Sequence, residues 1–442
     1  MSPRECRIRL GRSCVVVPCL ESMGLVAIAV AASGQSPPWS VCDEATVPSY
    51  DGQTVLDYRE CDVWCEGEVG GFECRITLDA DVGQDEELVI ACGYLAGDGE
   101  LCDDPADELL LDPNVALPNG FEQVSGRDVH RYEESDEWDV AVTHGPDVRI
   151  SLRNGLGLLE PVAAAGDPVP EAERGETFID FGTDVAIDGG WIVFSARGTG
   201  GVSGVYSKPL SALGGAATRI ADNSQARPRG AGNYDQPTSV DVSGGIALWT
   251  DSSGLYRAPA DGSGTPTQPA AIGDSLGSGT LGGGFSAVRF WGDRAVFRGS
   301  SGGGDCIAAA DLNADGVVDL IAGNTTPIPG GVGNFGPLQN PAALGPTVVF
   351  EAFNPSFQYL GLYAWVEGSG LSPLLLRGDP LAASTVFVAQ ASERSLFAGG
   401  ARVALTVELL NDDLHLVTLC GPPIFRDDFE SGDVAAWSSS TP

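Results

Sequence analysis

Between residues 138 and 421 apolar and polar positions alternate in a pattern that recurs six times. Its most regular mark is a glycine that ends one apolar strand and precedes another: Gly145, Gly189, Gly244, Gly292, Gly345 and Gly399. The intervals of 44, 55, 48, 53 and 54 residues are those of propeller blades and related arrays. Glycine suits a recurring tight hairpin because it accepts positive φ without a steric penalty. The strand after each mark is apolar and mostly ends in an aromatic residue, as in Trp191-Ile192-Val193-Phe194, Ile246-Ala247-Leu248-Trp249, Arg294-Ala295-Val296-Phe297 and Thr347-Val348-Val349-Phe350. Val148-Arg149-Ile150 and Arg402-Val403-Ala404-Leu405 are weaker copies. Such runs predict strands buried near the middle of a sheet.

A third strand opens with Gly204-Val205-Tyr206, Gly254-Leu255-Tyr256, Gly304-Asp305-Cys306 and Gly361-Leu362-Tyr363, with Leu414-His415 at the same place in the last unit. Each unit then closes on a pair such as Gly166-Asp167, Asp222-Asn223, Gly273-Asp274, Gly323-Asn324 or Gly378-Asp379. Four short strands per unit predict an all-β fold, a β-propeller. Counting marks favours six blades, and five is the alternative because the first unit is short. The last unit has no fourth strand after Cys420. Residues near 121 to 134 are expected to supply it, since a closed ring leaves no long strand edge exposed.

Outside the repeat the pattern changes. Arg4, Arg7, Arg9 and Arg12 precede an apolar run from Gly24 to Ala32 and small residues at Ser33 and Gly34, which reads as a secretory signal over 1–34. The run is too short to span a bilayer, so no transmembrane segment is expected. Met23 is an alternative start, which would discard the basic region. Residues 35–120 hold six of the 11 cysteines, Cys42, Cys61, Cys65, Cys74, Cys92 and Cys102, and predict a small disulfide-rich β module ahead of a propeller over 121–421. Six cysteines allow 15 pairings, and sequence does not choose among them. Zinc is the weaker reading, because the spacing lacks paired CxxC knuckles and no histidine joins the cluster. Residues 422–442 form an acidic tail.

Charge narrows the partners. With 61 acidic against 24 basic residues the chain carries a net charge of −37, which repels phosphate backbones and argues against nucleic acid. Gly and Pro, at 60 and 29 residues, suit many short strands joined by turns.

Candidate chemistry centres on the turn Asp311-Leu312-Asn313-Ala314-Asp315-Gly316-Val317-Val318-Asp319. Its spacing is similar to the calcium loops of EF-hands, dockerins and integrin-type propellers. Side-chain oxygens of Asp311, Asn313, Asp315 and Asp319 with the Val317 carbonyl would converge on one Ca²⁺. Ala322 stands where a bidentate Glu is expected, so the affinity is expected to be low. The structural alternative is an Asx-rich hairpin whose side chains bond the backbone. Gly273-Asp274-Ser275-Leu276 with Asp412 and His415 superficially resembles the end blocks of GDSL esterases, but both fall on repeat positions and the middle blocks are missing. Arg377-Gly378-Asp379 is likewise a copy of the closing pair. His130 and His144 stand alone without metal spacing. Trp191, Trp249, Trp291 and Trp365 fall inside repeat strands and read as core before sugar platform.

The run Thr326-Pro327-Ile328-Pro329-Gly330-Gly331-Val332-Gly333-Asn334-Phe335, followed by Val348-Val349-Phe350 and Gly361-Leu362-Tyr363, resembles the repeat of an uncharacterised family of bacterial exported β-propellers. The tail around Asp428-Phe429-Glu430-Ser431-Gly432-Asp433 resembles a segment that closes many bacterial exported proteins. What the resemblance implies is fold and export, with no catalytic residues. The expected role is an exported, monomeric, non-enzymatic propeller for binding or adhesion to a protein or carbohydrate ligand. The alternative is a propeller-type polysaccharide hydrolase or lyase using carboxylates at a central channel. A purely structural envelope protein is a third reading.

Overall fold

The computed structural model describes side chains across most of residues 161–389, and beyond that span chiefly the strands, by their backbone pairing. The Gly24 to Ala32 run and the tail after Cys420 lie outside the described residues. Residues 1–37 form one unit, in which Glu5–Leu10 pairs antiparallel with Ser13–Pro18. The remainder forms the second unit. It is a β-propeller-type succession of four-stranded antiparallel sheets.

Sheet one is Val124–Tyr132, Glu137–His144, Asp147–Leu152 and Leu159–Ala164; sheet two is Phe178–Asp188, Trp191–Gly198, Ser203–Pro209 and Thr218–Asp222. Sheet three is Ser239–Ser243, Ile246–Asp251, Gly254–Pro259 and Thr267–Ala271. Sheet four is Ser286–Trp291, Arg294–Ser301, Gly304–Asp311 and Val318–Gly323, and sheet five is Leu338–Leu344, Thr347–Phe353, Tyr359–Val366 and Gly370–Leu376. The first strands of sheets one to five pack on one another in chain order.

Sheet six contains Pro380–Leu381, Ser384–Gln390, Arg402–Leu409 and Leu414–Cys420, and its fifth member is Ser40–Thr46, which pairs antiparallel with Leu414–Cys420. The missing last strand therefore comes from upstream of the repeat, as expected, but from a different segment. Val124–Tyr132 is unavailable because it is already the first strand of sheet one. A further sheet, of Ser49–Tyr50, Gln53–Glu66, Glu73–Val82, Glu86–Leu95 and Glu108–Leu111, follows that strand. It packs against Arg402–Leu409 on one side and Glu137–His144 on the other.

In sheets two to four the marked glycines lie in the first hairpin, with φ of 56° at Gly189, 54° at Gly244 and 62° at Gly292. Sheet one is out of phase with this rule: Val148-Arg149-Ile150 belongs to its third strand. The glycine that opens the third strand has another cause. A Cβ at Gly204 would stand 2.4 Å from the Ala221 carbonyl oxygen, because the fourth strand closes over it beside a register shift at Val205/Tyr206. The same shift recurs at the start of the third strand in sheets three, four and five.

In sheets two, three and five an aromatic cluster packs the core. The second-strand ring and the third-strand tyrosine are joined by a third ring, from the start of the first strand in sheet two and from the connecting segment in sheets three and five: Phe178 with Phe194 and Tyr206, Tyr234 with Trp249 and Tyr256, Phe335 with Phe350 and Tyr363. Each third ring meets its tyrosine edge-on at 4.9 Å. Such a pair contributes about 0.5–1.5 kcal/mol beyond the burial itself. In sheet four Cys306 replaces the tyrosine, leaving Phe285 stacked on Phe297 at 5.4 Å.

Side chains also bind one sheet to the next. Ser239 Oγ accepts from the Val288 amide at 2.8 Å and Asp241 Oδ2 from the Phe290 amide at 2.7 Å, so two N–H groups of an edge strand are satisfied. The only lysine, Lys208, is buried and donates to the Val162 and Leu213 carbonyls, tying sheet two to sheet one. The Gly-Asp closing pairs are caps. Asp167, Asp274 and Asp379 each accept through Oδ2 from the amide three residues earlier, at 2.9, 2.7 and 2.8 Å.

Candidate functional site

A cavity of about 350 Å³ opens where the second hairpin of sheet two meets the segment leading to sheet three. One wall is the hairpin from Arg197 to Ser203, a single 3-10 turn over Thr199–Gly201. Glycine is required there, since a Cβ on Gly198 would lie 2.7 Å from Val169 Cγ2. Asn223 fixes this wall: its Nδ2 donates to the Gly201 carbonyl at 2.8 Å, its Oδ1 accepts from the Ser203 amide at 3.2 Å, and its own amide donates to the Ser203 carbonyl at 2.9 Å.

The facing wall is Tyr234, Asp235 and Gln236, with Ile179 beside it. Asp251 positions this wall. It is fully buried in the turn of sheet three and accepts through Oδ1 from the Ser253 amide at 2.7 Å, the Gly254 amide at 3.1 Å and Tyr256 Oη at 3.0 Å. Its Oδ2 accepts from the Asp235 amide at 2.9 Å. Burial, and after it the charge of Asp251, pushes the Tyr234 phenol up, so it remains a hydrogen-bond donor at neutral pH.

The polar groups of the cavity divide into two sets. Arg197 is bound to Asp180, and Asp235 Oδ2 accepts from the hydroxyls of Ser252 and Ser253. Left over are the second oxygen of Asp235 and the exposed amide of Gln236. Ser203 is 7% exposed and its hydroxyl is buried with no hydrogen-bond partner. Leaving such a hydroxyl unpaired costs about 1–3 kcal/mol. Sequence gave no signal for this place; a glycine-rich hairpin with a serine looks like any turn.

The acidic loop of sheet four is brought together as a hairpin, with four of its five candidate ligand residues already engaged through an oxygen atom. Asp311 Oδ1 accepts from the Asn313 amide at 2.7 Å, and the Val317 carbonyl accepts from the Asp311 amide at 3.0 Å. Arg257 donates to the Leu312 carbonyl at 2.7 Å and to Asn313 Oδ1 at 3.3 Å, and Arg294 pairs with Asp319. Gly316 donates to the Pro269 carbonyl at 2.8 Å, seating the loop against sheet three beside Arg229. The hydrogen bond to Asp274, opposed by burial, and then the charges of Asp274 and Asp315 raise the Arg229 pKa. Among the described residues no three His, Cys, Asp or Glu side chains converge as a metal cage.

Other candidates have structural partners. Asp274 is gripped by both terminal nitrogens of Arg229, and Arg377 lies over the Phe387 ring at 4.7 Å. Trp249 and Trp291 are buried, and Trp291 meets Trp365 edge-on at 5.8 Å. The side chains of His130, His144 and His415 lie outside the described residues. Glu351 is a carboxyl that burial pushes up; it is 5% exposed and accepts from Asn340 Nδ2 at 2.9 Å. No helix among the described residues is long and apolar enough to cross a membrane.

No protein-family model and no curated protein matches the chain. Among solved structures it is similar to a prolyl endopeptidase at 11% identity and a TM-score of 0.42, over 78% of this chain and 46% of that one, so it spans about half that protein's length. It is similar to the BP39L lectin of Burkholderia pseudomallei at 12% identity and a TM-score of 0.42, over 83% of this chain and 99% of the lectin. The gluconolactonase XC5397 of Xanthomonas campestris matches at 11% identity and a TM-score of 0.34, over 85% and 99% of the two chains. At these values the likenesses bear on neither activity nor ligand.

Proposed function

We propose that this chain is an exported, non-enzymatic propeller whose ligand seats in the cavity between Ser203 and Gln236. The observation that carries this reading is the division of polar groups there. The charged side chains are spent on one another or on serine hydroxyls, while Ser203, Gln236 and one oxygen of Asp235 are left to meet a ligand. Glycoside hydrolysis needs two carboxyl groups flanking an accessible bond. Here Asp180 is held by Arg197, and Glu351, the carboxyl with raised pKa, is buried against Asn340.

For the Asp311 loop, we propose that Arg257, Arg294 and Arg229 supply the positive charge that the sequence pattern assigns to Ca²⁺. Export is supported by the basic and apolar start of the sequence and by its cysteine cluster. The test of the binding reading is incubation with a panel of bacterial and plant polysaccharides. Retention on the protein without new reducing ends is expected; steady release of reducing ends would make it a hydrolase or a lyase.

A further inference from the structure

We propose that the cavity takes one neutral, hydroxyl-rich ring of hexose size, held between the 197–203 hairpin and Gln236. This deepens the binding reading and rests on it. Size comes first: about 350 Å³ lies at the low end of small-molecule sites and suits a single ring with its water. Charge excludes the ends of the scale. An anion would find Arg197 already neutralised by Asp180, face the carboxylate of Asp235 and enter a chain of net charge −37. A compact cation would have to share Asp235 with the serine hydroxyls that already donate to it.

What remains suits both the apolar C–H surface and the hydroxyls of a sugar. Ile179 is 50% exposed at the cavity, an apolar surface for the C–H side of a pyranose. For its hydroxyls, the free Asp235 oxygen accepts, the Gln236 amide both donates and accepts, and the Thr199 hydroxyl, whose oxygen already accepts from the Thr177 amide at 3.0 Å, can donate. The unpaired Ser203 hydroxyl supplies an independent sign of a missing partner. Rotation of Ser203 Oγ toward the cavity is the change a ligand hydroxyl would drive.

The test is ligand-observed NMR on the full chain with the methyl glycosides of glucose, galactose, mannose and N-acetylglucosamine, with sulfate and glucuronate as anionic probes. At least one neutral glycoside is expected to bind. Ser203→Ala should weaken it about three- to tenfold, the equivalent of one lost hydrogen bond. The same variant should keep or raise the melting temperature, because it removes a buried group that has no partner. A purely structural serine would instead lower it. Gln236→Ala, at an exposed position, should weaken binding with no change in melting. Equal binding by parent and both variants would place the glycoside elsewhere and overturn this site while sparing the binding reading. Binding of sulfate or glucuronate alone would overturn the ligand class. Failure of every glycoside together with every polysaccharide would remove both.

Discussion

Arg229 holds Asp274 with both terminal nitrogens, Nη1 reaching Oδ2 at 3.0 Å, and the same guanidinium stands against Gly316 of the acidic loop. A residue between sheets two and three thus neutralises one that closes sheet three and faces a loop of sheet four. Asp274 is only 9% exposed, so removing its partner leaves a largely buried charge. Arg229→Gln is expected to lower the melting temperature by a few degrees, at about 2 °C or less per kcal/mol in a chain longer than 250 residues. Calcium follows from the same arrangement. Millimolar Ca²⁺ should leave the parent melting temperature where chelator leaves it. A rise that vanishes in an Asp311→Ala, Asp315→Ala double variant would restore the ion.

Lys208 offers a probe of the joint between sheets one and two. An amine-reactive reagent should label the native chain at its α-amino group alone and reach Lys208 only on unfolding, because Nζ is buried on two carbonyls. Rapid native labelling of Lys208 would contradict that joint. Lys208→Met should cost about 1–3 kcal/mol by leaving those carbonyls unpaired.

The cysteines divide by register. Cys65 stands directly opposite Cys74 between Gln53–Glu66 and Glu73–Val82, within the Cα separation a disulfide needs. Peptide mapping is expected to find that pair, which cuts 15 pairings to three. Cys306 is buried, and burial pushes its thiol up to about 12, so alkylation should reach it only after unfolding. Fast alkylation of Cys306 in the native protein, or Cys65 bonded elsewhere, would contradict these placements.

Much of the repeat was legible because a strand buried on both faces leaves an unbroken apolar run, as in Val348-Val349-Phe350. The connecting rings Tyr234 and Phe285 were not, since they sit in polar or glycine-rich stretches. Closure by Ser40–Thr46 was also hidden. That strand meets its partner from the far end of the chain, and nothing in either segment marks the pairing. The GDSL-like and Arg377-Gly378-Asp379 matches were readable as repeat features, and the structure gives the cause: Asp274 and Asp379 cap the amides of Ala271 and Leu376. The cavity left no trace, because an unpaired hydroxyl is a property of packing.

Glu351 makes stability depend on pH in a stated direction. Burial raises its carboxyl above the ordinary 4.5, against the donor bond from Asn340. The native protein therefore holds this proton more tightly than the unfolded chain. Its contribution is full below the ordinary value and is lost as pH rises through the raised one. Glu351→Gln should melt above the parent at neutral pH, with the gap closing toward about pH 4. A gap that widens in acid would reverse the assignment.

The most direct measurement is a crystal of the full chain soaked in the methyl glycosides. A sugar ring lying on Ile179, with hydroxyls on Gln236, Asp235 and a turned Ser203, is the predicted result. Density for a ring on another surface with this cavity holding only water would contradict the account.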